Sequence, residues 1–457
     1  WSTSRDLHRA QASSEQLRAA IESGDSEGQE EAAAELREAA ASAAGRTDGA
    51  WWSALTYLPW VGGDASGVKA LSASLDVLST DAVDPLLSML SSMDDVLVDS
   101  RIDVSGVREL AGPASEARAA VLRAERLVDQ RDSTGYAGAL GPRFDEYVTT
   151  VRDLSDGLAS AETAIRVLPS MLGEDEERTY LVLFQNNAEI RPTGGMPGSW
   201  AQVTATEGRL AMVAQGTASD FPMQAEPVLP LSEAEIAVYG KEIGTYFQDP
   251  GFTPDFPRAA DLWREHWDRR FPSSPIDGVI AFDPVGMSYL LAGTGPVQAG
   301  STTLTSENLV SELLNRPYLE LQPEDQDALF QETARAIFDA LTGDLQSPVE
   351  LVRGLGRAAD EGRLLVAPFD DKVAQGLDGS KVLGRLASDA GNVPHVDIGL
   401  SDLTGSKMSY YLRYWANVES RSCEDGIQQL SGSMNLSQSI APADAAQLPD
   451  SVTGGGA

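Results

Sequence analysis

The 457-residue chain is poor in the residues that carry most metal and nucleophilic chemistry. Its one cysteine, Cys423, excludes an intrachain disulfide and a Cys-based zinc site. Its three histidines, His8, His266 and His395, lie too far apart for a local metal motif. No Gly-x-Ser-x-Gly elbow and no P-loop occurs. Gly354-Leu-Gly356-Arg-Ala-Ala359 mimics a dinucleotide fingerprint, but it lies in a helical stretch with no strand before it. No apolar run reaches the roughly 18 residues of a membrane span. Positive charge is scarce: 34 Lys+Arg against 69 Asp+Glu leave a net charge of −35. That balance sets aside nucleic acid as a main partner, because its phosphates would be repelled. It equally sets aside a basic patch held on anionic lipid. Only Lys69, Lys241, Lys372, Lys381 and Lys407 are lysines, and the Arg- and Ala-rich remainder suggests a high-GC genome.

Hydrophobic residues make up 42% of the chain, too many for a disordered polymer. At ~150 residues per domain the length predicts two to four domains. Residues 1–172 read as a helical bundle or stalk. Within it, 5–44 are rich in Ala, Glu, Gln and Arg, and Gly24 and Gly28 suggest a helical hairpin. Val68, Leu71, Leu75 and Leu78 form one helical stripe, and Phe144 to Leu168 another. Between 46 and 63 lie Trp51, Trp52 and Trp60, expected to pack a helix junction. The alternative is an aromatic group at a membrane interface.

From 179 the pattern alternates between strands and helices. Tyr180 to Phe184 and Asp277 to Asp283 are short apolar runs that read as buried strands, and 200–206 and 209–214 read as a hairpin. Helices are expected over 261–270, 306–314 and 325–341. This predicts an α/β domain over 173–400. A β-rich region follows over 401–457, with strands at 408–418 and 427–440, and stops before it looks complete. The start at Trp1 and the Gly-Gly-Gly-Ala end read as cut points, with an N-terminal membrane anchor expected before Trp1.

The distinctive segment is Gln185-Asn-Asn-Ala-Glu-Ile-Arg-Pro-Thr-Gly-Gly-Met-Pro-Gly198, read as a loop after the strand 180–184. Loops at the carboxyl ends of strands are where open α/β sheets bind ligands. Arg191 could grip a phosphate bidentately, with glycine backbone N–H groups close by. The other reading pairs Arg191 with Glu189 or another acid inside the fold. Asp220, Asp249 and Asp255 lie in the Pro/Gly-rich stretch 219–257. Carboxylates beside a phosphate site point to Mg²⁺; turn and N-cap roles are the alternative, and Asp255 suits an N-cap before the helix at 259. Arg316 offers a second cation for a pocket, or a surface charge.

The segment Tyr180 to Gly195 resembles the hallmark of an uncharacterised family of exported, membrane-anchored bacterial proteins common in actinobacteria. Thr253-Pro-Asp-Phe-Pro257, Ile276 to Pro284, Gly293-Thr-Gly-Pro-Val297 and Leu403 to Tyr411 match the same family. The central region also resembles, more distantly, the LytR-CpsA-Psr enzymes, which transfer phosphoglycans from a polyprenyl pyrophosphate carrier onto peptidoglycan. That resemblance implies a LytR-CpsA-Psr-like α/β sandwich for the central region, so the chain is expected to be a multidomain α+β and α/β protein, with an N-terminal helical bundle or stalk before it and a truncated C-terminal β-rich region after it. It implies an extracytoplasmic cell-envelope protein that binds or transfers a lipid-linked glycan or cell-wall polymer. Arg191 and Arg316 would stabilise phosphate, with Asp255 as a third catalytic group and Asp220 and Asp249 holding Mg²⁺. Asn186, Asn187, Glu189, Thr193, Arg258 and Gln331 would contact substrate. The sequence departs from the transferases where their cationic helix is expected, because Gln322 to Phe330 is acidic and has no arginine. The alternative function is therefore a non-catalytic envelope scaffold or partner protein with a vestigial phosphate site.

Overall fold

The structure is a computed structural model that describes residues 2–93, 96–98, 101–387 and 395–455. Trp1 and the last two residues, at the ends read as cut points, lie outside the described residues. Two compact units emerge: 1–96 with 105–168, and 97–104 with 169–457. The second unit includes the segment from 401. Among the described residues no helix is long and apolar enough to cross a membrane.

The first unit is helical: α1 (Ser2–Ser23), α2 (Ser26–Thr47), α3 (Ala50–Leu55), α4 (Gly62–Val77), α5 (Val83–Met93), α6 (Ala111–Asp129) and α7 (Leu140–Met171, which ends past the unit boundary). Gly24 ends α1 with a positive φ, and Asp25 caps α2 by accepting from the Gly28 N–H. Gly28 therefore lies inside α2 rather than breaking it. Several alanines of α2 and α6, among them Ala39, Ala43, Ala117 and Ala124, are fully buried, because small side chains let helices approach closely. Of the tryptophans at 51–60, only Trp52 packs the junction, its Nε1 donating to the Ala65 carbonyl at 2.9 Å. Trp51 and Trp60 are exposed, so the expected packing role fails for both.

The second unit is built on a five-stranded sheet. Its strands are β1 (Arg178–Arg191), β2 (Gly194–Thr206), β3 (Arg209–Thr217), β4 (Gly278–Phe282) and β5 (Leu364–Pro368). The spatial order is β3-β2-β1-β4-β5; β1 and β4 are parallel and the other pairs antiparallel. Both faces of the central strands are covered, which explains their continuous apolar runs. Leu181, Leu183, Val279, Ala281, Leu365 and Ala367 pack on the helix α8 (Phe256–Arg270) through Trp263 and Trp267. Phe184, Phe282 and Leu364 point the other way. They meet a layer that includes α9 (Pro284–Thr294), α10 (Leu309–Leu314), α12 (Pro323–Leu341) and α13 (Pro348–Asp360). The short α11 (Arg316–Glu320) joins α10 to α12. The fold is thus mixed helix and sheet.

Two expectations change. The segment 185–198 is not an open loop: β1 runs through it to Arg191 and turns at Pro192-Thr193 into β2. The register slips between Asn186 and Ile190, and this bulge hides the strand from a period-2 reading. Residues 408–411 form a 3₁₀ turn, and the strand begins at Leu412. There β6 (Leu412–Glu424) pairs with β7 (Ile427–Gln438) as a two-stranded hairpin. Its register puts Tyr414, Val418, Leu430, Met434 and Leu436 on one face, and Asn417, Glu419 and serines on the other.

Candidate functional site

The sheet's strand order reverses between β1 and β4, which run parallel. A crevice at the carboxyl ends of such a pair is the expected ligand position. A cavity of about 260 Å³ lies there, just below the ~300–1,000 Å³ of sites for drug-sized ligands. Its apolar wall includes Phe184, Met196, Met287, Leu313, Leu314 and Phe330. Its polar wall carries the amides of Gln185, Asn186, Gln248 and Gln326, the hydroxyls of Thr217, Ser219, Tyr318 and Thr333, and the charged Glu189, Asp327 and Lys407.

The β1 bulge sets the polar wall. The Asn186 side-chain oxygen accepts from the Ala188 N–H at 3.0 Å, closing a local turn that rotates the chain out of register. This aims Asn186 Nδ2 at the Tyr318 hydroxyl, 2.7 Å away. Glu189 is buried and receives Lys407 Nζ at 2.9 Å. Burial pushes the Tyr318 hydroxyl well above its usual pKa, reinforced by the carboxylates of Glu189 and Asp327 and opposed by the Asn186 hydrogen bond. Asp327 is raised as well, first by burial and then by Glu324 and Asp220. The charged groups of the wall are thus two carboxylates, Glu189 and Asp327, and one cation, Lys407. Among the described residues, two polar side chains at its wall have an atom without a partner: Gln185, 3% exposed, at Nε2, and Thr333, 2% exposed, at Oγ1. A buried polar atom without a partner costs about 1–3 kcal/mol.

Of the expected site residues, the structure brings Asn186 and Glu189 to the cavity. The others serve elsewhere. Arg191 is 6% exposed; its Nη1 donates to the Ile190 and Asp402 carbonyls, and its guanidinium stacks on Phe252 at 4.1 Å. Burial lowers its pKa, opposed by Asp249, Glu189 and Asp402. Arg316 is exposed and bridges Glu312 at 2.7 Å and Glu320 at 3.1 Å, one helical turn to either side. Asp255 precedes α8, but its Oδ1 accepts from the Leu386 N–H at 3.0 Å instead of capping its own helix. Arg258 pairs with Glu235 at 2.7 Å. Asn187 donates to the buried Asp283, which also accepts from Arg363 and from the Gly286 N–H. Thr193 donates to the Gly251 carbonyl, and Gln331 lies half-buried on α12 outside the cavity lining.

Of the acids expected to hold Mg²⁺, Asp220 has partners within the fold and Asp249 is shifted by burial. Asp220 accepts from Trp200 Nε1 and from the Thr217 N–H. The Asp249 carboxyl is pushed up to about 6 by burial, against the pull of Arg191. Among the described residues no group of three or more His, Cys, Asp or Glu side chains could hold a metal ion.

Sequence reasoning passed over Tyr318, Thr333, Asp327 and Lys407. Lys407 carried a signal, as one of five lysines and part of the segment Leu403 to Tyr411. Tyr318 and Thr333 carried none, because ordinary helix residues become site residues only through packing. A search of curated proteins and a search of solved structures each found no match. Residues 175–318, which hold β1 through Tyr318, match a family model described as a protein of unknown function, DUF4012.

Proposed function

We propose that the second unit is a non-catalytic binding module for the glycan part of a cell-envelope polymer, through the cavity beside β1 and β4. The observation that carries this reading is the charge and hydrogen-bonding character of the cavity wall. Amides, hydroxyls and carboxylates make up its polar part, and Lys407, the one cation lining it among the described residues, is already paired with Glu189. A pyrophosphate would need several free cations. Here Arg191, Arg258 and Arg316 are committed to internal partners. A neutral polyhydroxylated ring suits the wall better: its hydroxyls could engage the amides and hydroxyls of the polar wall, and its carbon skeleton could rest on Phe184 and Phe330. The envelope setting is supported by the resemblance of the Gln185–Gly195 motif.

Thermal unfolding with added ligands tests the proposal. Neutral cell-wall oligosaccharides should raise Tm by an amount that grows with concentration. Inorganic pyrophosphate with Mg²⁺ should leave Tm unchanged, and Gln185→Leu should remove the sugar response. Stabilisation by pyrophosphate and Mg²⁺, or release of polyprenyl phosphate from a lipid-linked glycan, would replace this reading with the transferase one.

A further inference from the structure

Helix α3 and its connection to α4 in the first unit display Trp51, Tyr57 and Trp60 at 76%, 88% and 98% exposure, with Leu58 and Val61 half exposed beside the last two. The segment 49–63 contains no charged residue, in a chain of which 23% is charged. It is nonetheless an ordered turn. The Tyr57 and Leu58 N–H groups donate to the Ala54 and Leu55 carbonyls, and the Gly62 N–H donates to the Leu58 carbonyl. Trp52 ties the base to Ala65. At the tip Trp60 has a φ of 69°, a left-handed conformation that is rare for a bulky side chain. Such strain persists where the surrounding structure imposes it, and it clusters at functional sites.

We propose that this tip inserts into the interfacial layer of a bilayer with neutral headgroups. Tryptophan and tyrosine settle at headgroup depth, where the ring is buried and its N–H or O–H stays wet. Leu58 and Val61 supply the aliphatic surface that reaches the acyl boundary. A sugar-binding platform is disfavoured, because 49–63 offers no carboxylate or side-chain amide and the Thr56 hydroxyl already donates to the Ser53 carbonyl. A second copy is disfavoured by the mutual repulsion of chains carrying −35 each. The same charge selects the lipid: an uncharged tip on an acidic body suits zwitterionic headgroups and is repelled by anionic ones.

Co-flotation of the full chain with phosphatidylcholine vesicles tests this, together with quenching of tryptophan emission by brominated acyl chains. The wild type should float and be quenched. Replacing phosphatidylcholine partly with phosphatidylglycerol should weaken binding, and added salt should restore it. The double variant Trp51→Ala/Trp60→Ala should lose at least tenfold in bound fraction with Tm unchanged. Trp60→Gly, which accepts the positive φ, provides a second variant that relieves backbone strain, and Trp415→Ala on the hairpin should bind as the wild type does. Failure of the wild type to float, undiminished flotation of the double variant, or a concentration-dependent dimer that Trp60→Gly abolishes would each overturn the proposal.

Discussion

Arg191 is the residue whose chemistry changes most between sequence and structure. In sequence it is a guanidinium in a polar, glycine-rich motif, the arrangement expected of an anion grip. In the fold it is a buried tie. It crosses from the end of β1 to the Asp402 carbonyl and carries Phe252 against its plane. Its Nε lacks a partner, and burial already disfavours its charge. Removing it deletes a charge-assisted hydrogen bond and opens a void under Phe252. Arg191→Ala should therefore lower stability by about 2–4 kcal/mol, read as a shift of the urea midpoint. Ligand affinity at the cavity should stay within twofold in the folded protein, because Arg191 does not line it. Lysine should not rescue, since it offers neither the planar face for Phe252 nor the same reach to the carbonyl. An Arg191→Ala protein of unchanged stability that fails to bind would return the residue to the site.

The β1–β2 hairpin is the element through which the motif acts. Gly194 has a φ of 121° and lies against the Gln185 side chain. Gly195 packs onto the Asn186 carbonyl so closely that a Cβ would overlap backbone atoms. Both glycines thus serve the close approach of two strands around the bulge, not a phosphate. Gly195→Ala should destabilise the protein by more than about 2 kcal/mol. It should also loosen the Asn186–Tyr318 contact, visible as faster amide exchange over 184–190. Unchanged exchange there would show that the bulge does not depend on the glycine. The hairpin also marks how far the sequence could be read. The buried strands at 180–184 and 277–283, the helix around 261–270 and the Gly354 helix follow from apolar runs and periodicity, which are local. The continuation of β1 past Phe184 does not, because Asn187-Ala-Glu189 breaks the alternation and only pairing with β2 restores it. Of the residues that line the cavity, Asn186 and Glu189 stood out in the motif. Tyr318, Thr333 and Lys407 did not, because they converge on that motif from positions far along the chain.

On the scale of the whole molecule, two buried titratable groups in the second unit oppose each other. His266 is buried against Phe247 with Nε2 unpartnered, and burial, then Arg269, lowers its pKa from 6.5 to about 4. Between those values the unfolded chain binds more protons than the native one. Stability from His266 is therefore full above pH 6.5 and lost as pH falls toward 4. Asp249 is displaced the other way, from 3.8 to about 6. There the native state binds more protons, so stability is gained as pH falls from 6 toward 3.8. The windows overlap, and the two slopes largely cancel in the wild type. Single substitutions should expose them. With Asp249→Asn, stability should fall more steeply than wild type on going from pH 6.5 to 4.5. With His266→Phe it should fall less, or rise. A tenfold change in proton affinity is worth about 1.4 kcal/mol, and residual solvent around Asp249 reduces it, so each difference should reach ~1–2 kcal/mol. Relief of the −35 charge on acidification is common to all three proteins, so it drops out of the comparison. Urea unfolding at pH 4.5, 5.5 and 6.5 reads the result, and parallel profiles for the three proteins would show that neither group is linked to folding in this way.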